Sequence, residues 1–126
     1  MFRRIALIEL AALALTTSPA LAGQPEPSIR VNESAPRLGG TVTFTTTYAR
    51  NTPNPRVTVR CYQTGVLVYA ESEGPSHGFV LGGAVSDWAR NGGTAECTGE
   101  LWSLVWRGNR QQQVTTLAMT SFSATG

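Results

Sequence analysis

Lysine is absent from this chain: all ten of its basic residues are arginine, against eight acids. There is one histidine, His77, one aspartate, Asp87, and a single pair of cysteines, Cys61 and Cys97. One histidine and two cysteines make a poor metal-ligand set, so neither a metal nor another cofactor is expected. The near balance of charges argues against a nucleic-acid partner, which needs a strongly basic face. Arginine without lysine fits a GC-rich coding genome. No stretch sustains a helical period, and only the start of the chain holds a long apolar run.

That start, MFRRIALIELAALALTTSPALAG, reads as a secretory signal over residues 1–22. Arg3 and Arg4 form a positive region, Ile5 to Leu15 an apolar one, and Ala20-Leu21-Ala22 a small-residue cleavage site. The apolar stretch is too short for a stable membrane span, and Glu9 within it opposes insertion. Gly23 is the expected first mature residue. No cysteine follows the cleavage site, as a lipid anchor would require, and SFSATG offers no apolar tail. The expectation is an exported protein without a membrane anchor, extracellular or periplasmic according to the host envelope. Without Arg3, Arg4 and Glu9, eight arginines face seven acids, and the mature protein is nearly neutral.

Export changes how the cysteines read. In an oxidising compartment a lone pair in a small domain is a disulfide, and these two lack the C-x-x-C spacing of redox pairs. Closing a loop of this length constrains the unfolded chain by about 3–4 kcal/mol on the loop-entropy account.

After an extended lead at 23–27, where prolines forbid helix, strand signals follow one another through 28–126. They run SIRVNES, TVTFTTTYAR, RVTVRCYQ, VLVYAES, HGFVLGG, TAECTGELWSLVW and QQVTTLAMTSFSA, with Gly, Pro and Asn between them. SDWAR is the one place for a single helical turn. About seven short strands in one small domain predict an all-β sandwich.

The segments GGTVTFTTTY, PRVTVRCYQTGVLVY and NGGTAECTGELW resemble strands B, C–C′ and F of an immunoglobulin-like (Ig-like) domain. The chain is similar in this respect to small secreted Ig-like proteins of actinobacteria and their phages. It departs from the antibody type: Cys61 falls on strand C rather than B, and Ala95 stands where a tyrosine is expected two residues before the second cysteine. The resemblance implies that C and F are antiparallel neighbours and that Cys61 and Cys97 bridge them within one sheet. A bridge between sheets would shift the strand labels by one.

The same topology gathers the loops at 50–56, 71–76 and 107–113 at one end. Arg50, Arg56, His77, Arg107 and Arg110 are the candidate binding residues there, suited to a carboxylate or phosphate on a cell-envelope polymer or an extracellular protein. The simpler alternative is that these charges only keep that end in water.

A second candidate surface is aromatic. Trp102 and Trp106 share one parity of the F strand, and Tyr62 shares the corresponding parity of C. If Cys97 faces the core in a regular strand, all three rings point outward, where they would stack sugars or form an interface. A bulge at Thr98-Gly99 would instead turn both tryptophans into the core, and the glycine tips the expectation that way.

GPSHG at 74–78 satisfies G-x-S-x-G, yet FVLGG after it reads as a strand where a nucleophile elbow needs a helix. His77 adjoins Ser76, so extended side chains would point apart. Glu96 and Glu100 lie on one strand face but lack a cleft for paired-carboxylate chemistry. Asp87 is expected to cap its turn, and Asn32-Glu33-Ser34 matches a glycosylation acceptor. No catalytic residue is assigned. The expected function is non-catalytic: an Ig-like module that binds or builds through its loops or one sheet face. A carbohydrate-binding module using the aromatic face is the alternative.

Overall fold

A computed structural model describes residues 25–83, 86–108 and 111–126; the expected signal segment and Arg110 lie outside them. The strands are β1 (Ser28–Val31), β2 (Thr41–Val42), β3 (Phe44–Thr47), β4 (Pro55–Gln63), β5 (Val66–Glu73), β6 (Phe79–Val80), β7 (Ala95–Arg107) and β8 (Gln111–Ala124). One helical turn, α1 (Asp87–Asn91), precedes β7. The protein is all-β, with the four-stranded antiparallel sheet β5-β4-β7-β8 and two small pairs, β1-β3 and β2-β6. That arrangement is compatible with a sandwich.

Local chemistry explains the joints. Thr64 and Gly65 both hold positive φ between β4 and β5, the primed two-residue turn that matches strand twist. β2 and β3 are one expected strand interrupted at Thr43. Its N–H donates to the Glu33 carboxylate at 2.7 Å, and its hydroxyl donates to the same group. Asn32 holds Thr43 and Thr45 through side-chain hydrogen bonds, so the glycosylation-like triplet works as a clamp on this break. Ser86, not Asp87, caps α1: its hydroxyl accepts from the Ala89 N–H at 3.0 Å. Asp87 instead pairs with Arg90 one turn on.

β7 alternates cleanly. Ala95, Cys97, Gly99, Leu101 and Ser103 are buried, and the residues between them are partly or fully exposed. Val57, Val59 and Cys61 of β4 join the same core, closed by Ile29, Val42, Phe44, Phe79, Leu81 and Trp88. Phe44 is the hub: its ring meets Phe79 edge-on at 5.7 Å and Phe122 at 6.1 Å. A Cβ on Gly99 would lie 2.7 Å from that ring. Gly99 is therefore a seat for Phe44 in an unbroken ladder, where β4 and β8 pair it with Val59 and Thr120. The expected bulge at Thr98-Gly99 is absent. The register shift of β7–β8 lies between Leu101 and Trp102 and skips Leu117 of β8, which leaves the alternation of β7 intact.

Cys61 and Cys97 stand directly opposite each other on β4 and β7 and form the disulfide. Both are buried, and the bridge joins neighbours within one sheet.

Candidate functional site

Parity fixes which residues face outward on the four-stranded sheet. On β7 these are Glu96, Thr98, Glu100 and Trp102, the positions between the buried ones, and Leu104 and Trp106, which continue the same parity past Ser103. Their β8 partners include Thr116 beside Trp102, Val114 beside Leu104 and Gln112 beside Trp106. Trp106 is 59% exposed and Val114 58%; Trp102 and Leu104 are half-buried. Both tryptophans thus lie on the solvent side of the sheet, against the expectation of a core position. The reason is the seat at Gly99, which removes the need for a bulge.

Trp102 is held in place. Its Nε1–H donates to Thr58 Oγ1 at 2.8 Å, and Thr58 shares a 2.5 Å hydrogen bond with Ser72. The chain of contacts ties β7 to β4 and β5 and explains why Thr58, on an outward position, is nonetheless buried. An indole so oriented has spent its one donor, and what it presents outward is apolar ring.

Tyr62 does not belong to this group. It pairs with Glu96 at the opposite end of the sheet, six residues from Trp102 along β7, or about 20 Å of strand. Its cross-strand neighbour is the exposed Leu67. Equal parity put Tyr62 on the right face but could not place it along the strand.

The remaining candidates are distributed as follows. Register sets the start of β4, the end of β5 and the end of β7 at one end of the sheet. Arg50 is exposed in the turn closed by Thr52 N–H on Ala49 C=O. Arg56 is not a loop residue: it is the second residue of β4, opposite Trp102, and its Nη2 donates to the Ser72 carbonyl at 3.4 Å. Arg107 ends β7 and is exposed.

GPSHG forms a turn in which the His77 N–H donates to the Gly74 carbonyl at 3.1 Å. Strand β6 follows rather than a helix. Ser76 is exposed, and the His77 ring lies 4.0 Å from Glu73. Glu96 accepts from Ser123 Oγ at 2.8 Å, while Glu100 pairs with Arg60 at 3.2 Å and accepts from Thr116. Each carboxylate thus has its own partners. No group of three or more His, Cys, Asp or Glu side chains converges to hold a metal among the described residues. Among the same residues, no helix is long and apolar enough to cross a membrane.

One feature was not anticipated. Tyr69 donates to Glu71 at 2.5 Å on the edge strand β5. Burial, then the hydrogen bond and charge of Glu71, pushes its phenol well above the usual tyrosine range. The signal was the spacing Y-x-E, which in a strand sets both side chains on one face.

These features define a small all-β protein of antiparallel sheets with one internal disulfide and an apolar ridge on an outer sheet face. Compared with protein-family models, curated proteins and solved structures, the chain matches none.

Proposed function

We propose that this protein is an exported, non-catalytic Ig-like sandwich that binds an extracellular partner through the ridge of Trp102, Leu104, Trp106 and Val114. One observation carries the reading: Trp106 and Val114, both more than half exposed, flank Leu104 on the outer face. Apolar area left in water forgoes about 25 cal/mol per Å², and a contiguous row of it is characteristic of an interface. Trp102, fixed through Thr58, gives the row a preorganised anchor at little entropic cost.

The Ig-like assignment is supported by the order β5-β4-β7-β8. It corresponds to C′-C-F-G, with β1, β2 with β3, and β6 in the places of A, B and E. Export is supported by the signal-like start and by a disulfide suited to an oxidising compartment. The partner is a protein or an envelope polymer with an apolar or sugar-ring face. Carbohydrate binding, the alternative, draws on the exposure of the Trp106 ring but loses Tyr62 from its platform.

The test pairs iodide quenching of a Trp88→Phe variant with binding to purified cell-wall polymer and a polysaccharide panel. Trp88 is the one core tryptophan, so the variant reports on Trp102 and Trp106. We expect strong quenching, and binding that Trp106→Ala abolishes while Arg50→Ala preserves. Binding that survives Trp106→Ala and Trp102→Ala but is lost with Arg50→Ala would move the site to the loops.

A further inference from the structure

The two edges of the four-stranded sheet are guarded differently. On β5, Tyr69, Glu71 and Glu73 stand opposite the buried Cys61, Val59 and Val57, and a register shift falls beside them. Acidic groups on the core side of an edge, together with a kink, discourage the addition of another strand. β8 reads QQQVTTLAMTSFSA, fourteen residues without a charge or a proline. Just past its end the chain is covered: Leu38 N–H donates to the Thr125 carbonyl, and Thr125 N–H to the Pro36 carbonyl.

Farther up, from Gln112 to Thr116, β8 pairs only with β7 among the described residues, and all five residues are exposed, on both faces. The first part of this run, Gln112 to Val114, belongs to an arm that outruns its neighbour, since β4 begins at Pro55 opposite Ser103, the partner of Thr115. A two-stranded arm is marginal in water by itself. Its open backbone groups form an unblunted template.

We propose that a second copy of this chain pairs there, β8 against β8, antiparallel about a two-fold axis at Val114. A two-fold axis normal to a sheet relates strands antiparallel, and such isologous dimers are the commonest assembly. Centred on Val114, the register sets Gln112 against Thr116 of the second copy and Gln113 against Thr115. Val114 meets its own counterpart. No like charges meet across the axis, because the run has none, whereas self-pairing of β5 would bring Glu71 and Glu73 together. The shift at Leu117 ends the ladder. Five paired residues a side, with the ridge beside them, bury less than the roughly 1,200 Å² of a stable standard interface, so the dimer exchanges with monomer as concentration changes. The inference rests on the edge and stands whether or not the ridge binds another partner; pairing would set two ridges side by side.

Sedimentation of the oxidised mature protein from about 10 μM to about 1 mM, spanning weak affinities, tests it. The average mass is expected to rise toward twice the monomer, and Val114→Lys to weaken association at least about tenfold with unchanged circular dichroism. Val66→Lys, at the other edge, should leave association unchanged. Under mild oxidation Val114→Cys should form a covalent dimer and Met119→Cys, equally exposed, should not. A monomer throughout the range, association that persists in Val114→Lys, or equal cross-linking at both positions would overturn the proposal.

Discussion

Adding one methyl group at Gly99 tests the packing that orients the whole outer face. A Cβ there would sit 2.7 Å from Phe44 Cε1, 3.1 Å from Cζ and 3.3 Å from Thr120 Cγ2. Ordinary carbon contacts are about 3.5–4.0 Å, so the ring overlaps by most of an ångström. Phe44 has little room to retreat, with Phe79 and Phe122 against it. Gly99 does not use positive φ, so alanine meets no backbone strain and gains about 0.5–1 kcal/mol from lower chain entropy. Overpacking costs about 1–3 kcal/mol. The net expectation for Gly99→Ala is a loss of about 1–2 kcal/mol, or a melting point lowered by roughly 5–15 °C in a domain of this size. Phe44→Leu should destabilise the parent yet cost less in the Gly99→Ala background, a coupling that a double-mutant cycle by urea denaturation would read directly. A Gly99→Ala variant as stable as the parent, or additive effects of the two substitutions, would refute the seat.

Three further outcomes follow from the fold. Reducing the Cys61–Cys97 bridge, which closes a separation of 36 residues, should cost about 3–4 kcal/mol; a denaturation midpoint unmoved by reductant would contradict this. Tyr69 is held protonated above its usual range. Its contribution is therefore complete below about pH 10, where the unfolded phenol begins to ionise, and is lost as pH climbs through the folded value. Urea midpoints at increasing alkaline pH should fall less steeply in Tyr69→Phe, and parallel slopes would refute the assignment. Ser86→Ala should remove about 1 kcal/mol from α1, with Ser86→Asp largely restoring it; equal melting of all three would show that the cap contributes nothing.

Strand positions were legible because β-branched residues alternate between turn residues whose duties are local. Gly65 supplies a left-handed position at no steric cost, and the hairpin it helps close brings β4 and β5 together. The disulfide was legible from the cysteine count and the expected compartment, and its place within one sheet only as what the Ig-like resemblance implied, with a bridge between sheets left open. What escaped the sequence depends on distant partners. A glycine inside a strand looks like a defect until Phe44, on another sheet, is seen to occupy its missing side chain. Arg56 stood both at the end of the expected loop at 50–56 and at the head of the strand signal RVTVRCYQ; the pairing of Pro55 with Ser103 and of Arg56 with Trp102 decides for the strand. Val114 was invisible as a ridge residue because its place beside Leu104 depends on the register of the β7–β8 hairpin.

The inner and outer faces of β7 are therefore one problem. Side chains on a strand alternate strictly, so the residue that fills or vacates an inner position decides where every second neighbour points. A bulky residue at 99 would meet Phe44, and the strand could relieve that contact by bulging, which would turn Trp102, Leu104 and Trp106 toward the core. Glycine accepts the ring without displacement, the ladder stays in phase from Ala95 to Ser103, and the tryptophans remain outside. The exposure of Trp106 is thus a consequence of aromatic packing on the far side of the sheet. An apolar ridge maintained by the core's own geometry does not need a local stabilising gain to explain its shape. It needs one to explain its composition: an outward strand face is filled most cheaply with threonine or charge, as this one is at Glu96, Thr98 and Glu100, whereas its far half carries two indoles and a leucine. That mismatch between what folding requires and what the far half of the outer face holds is the physical ground for the proposal that the ridge binds.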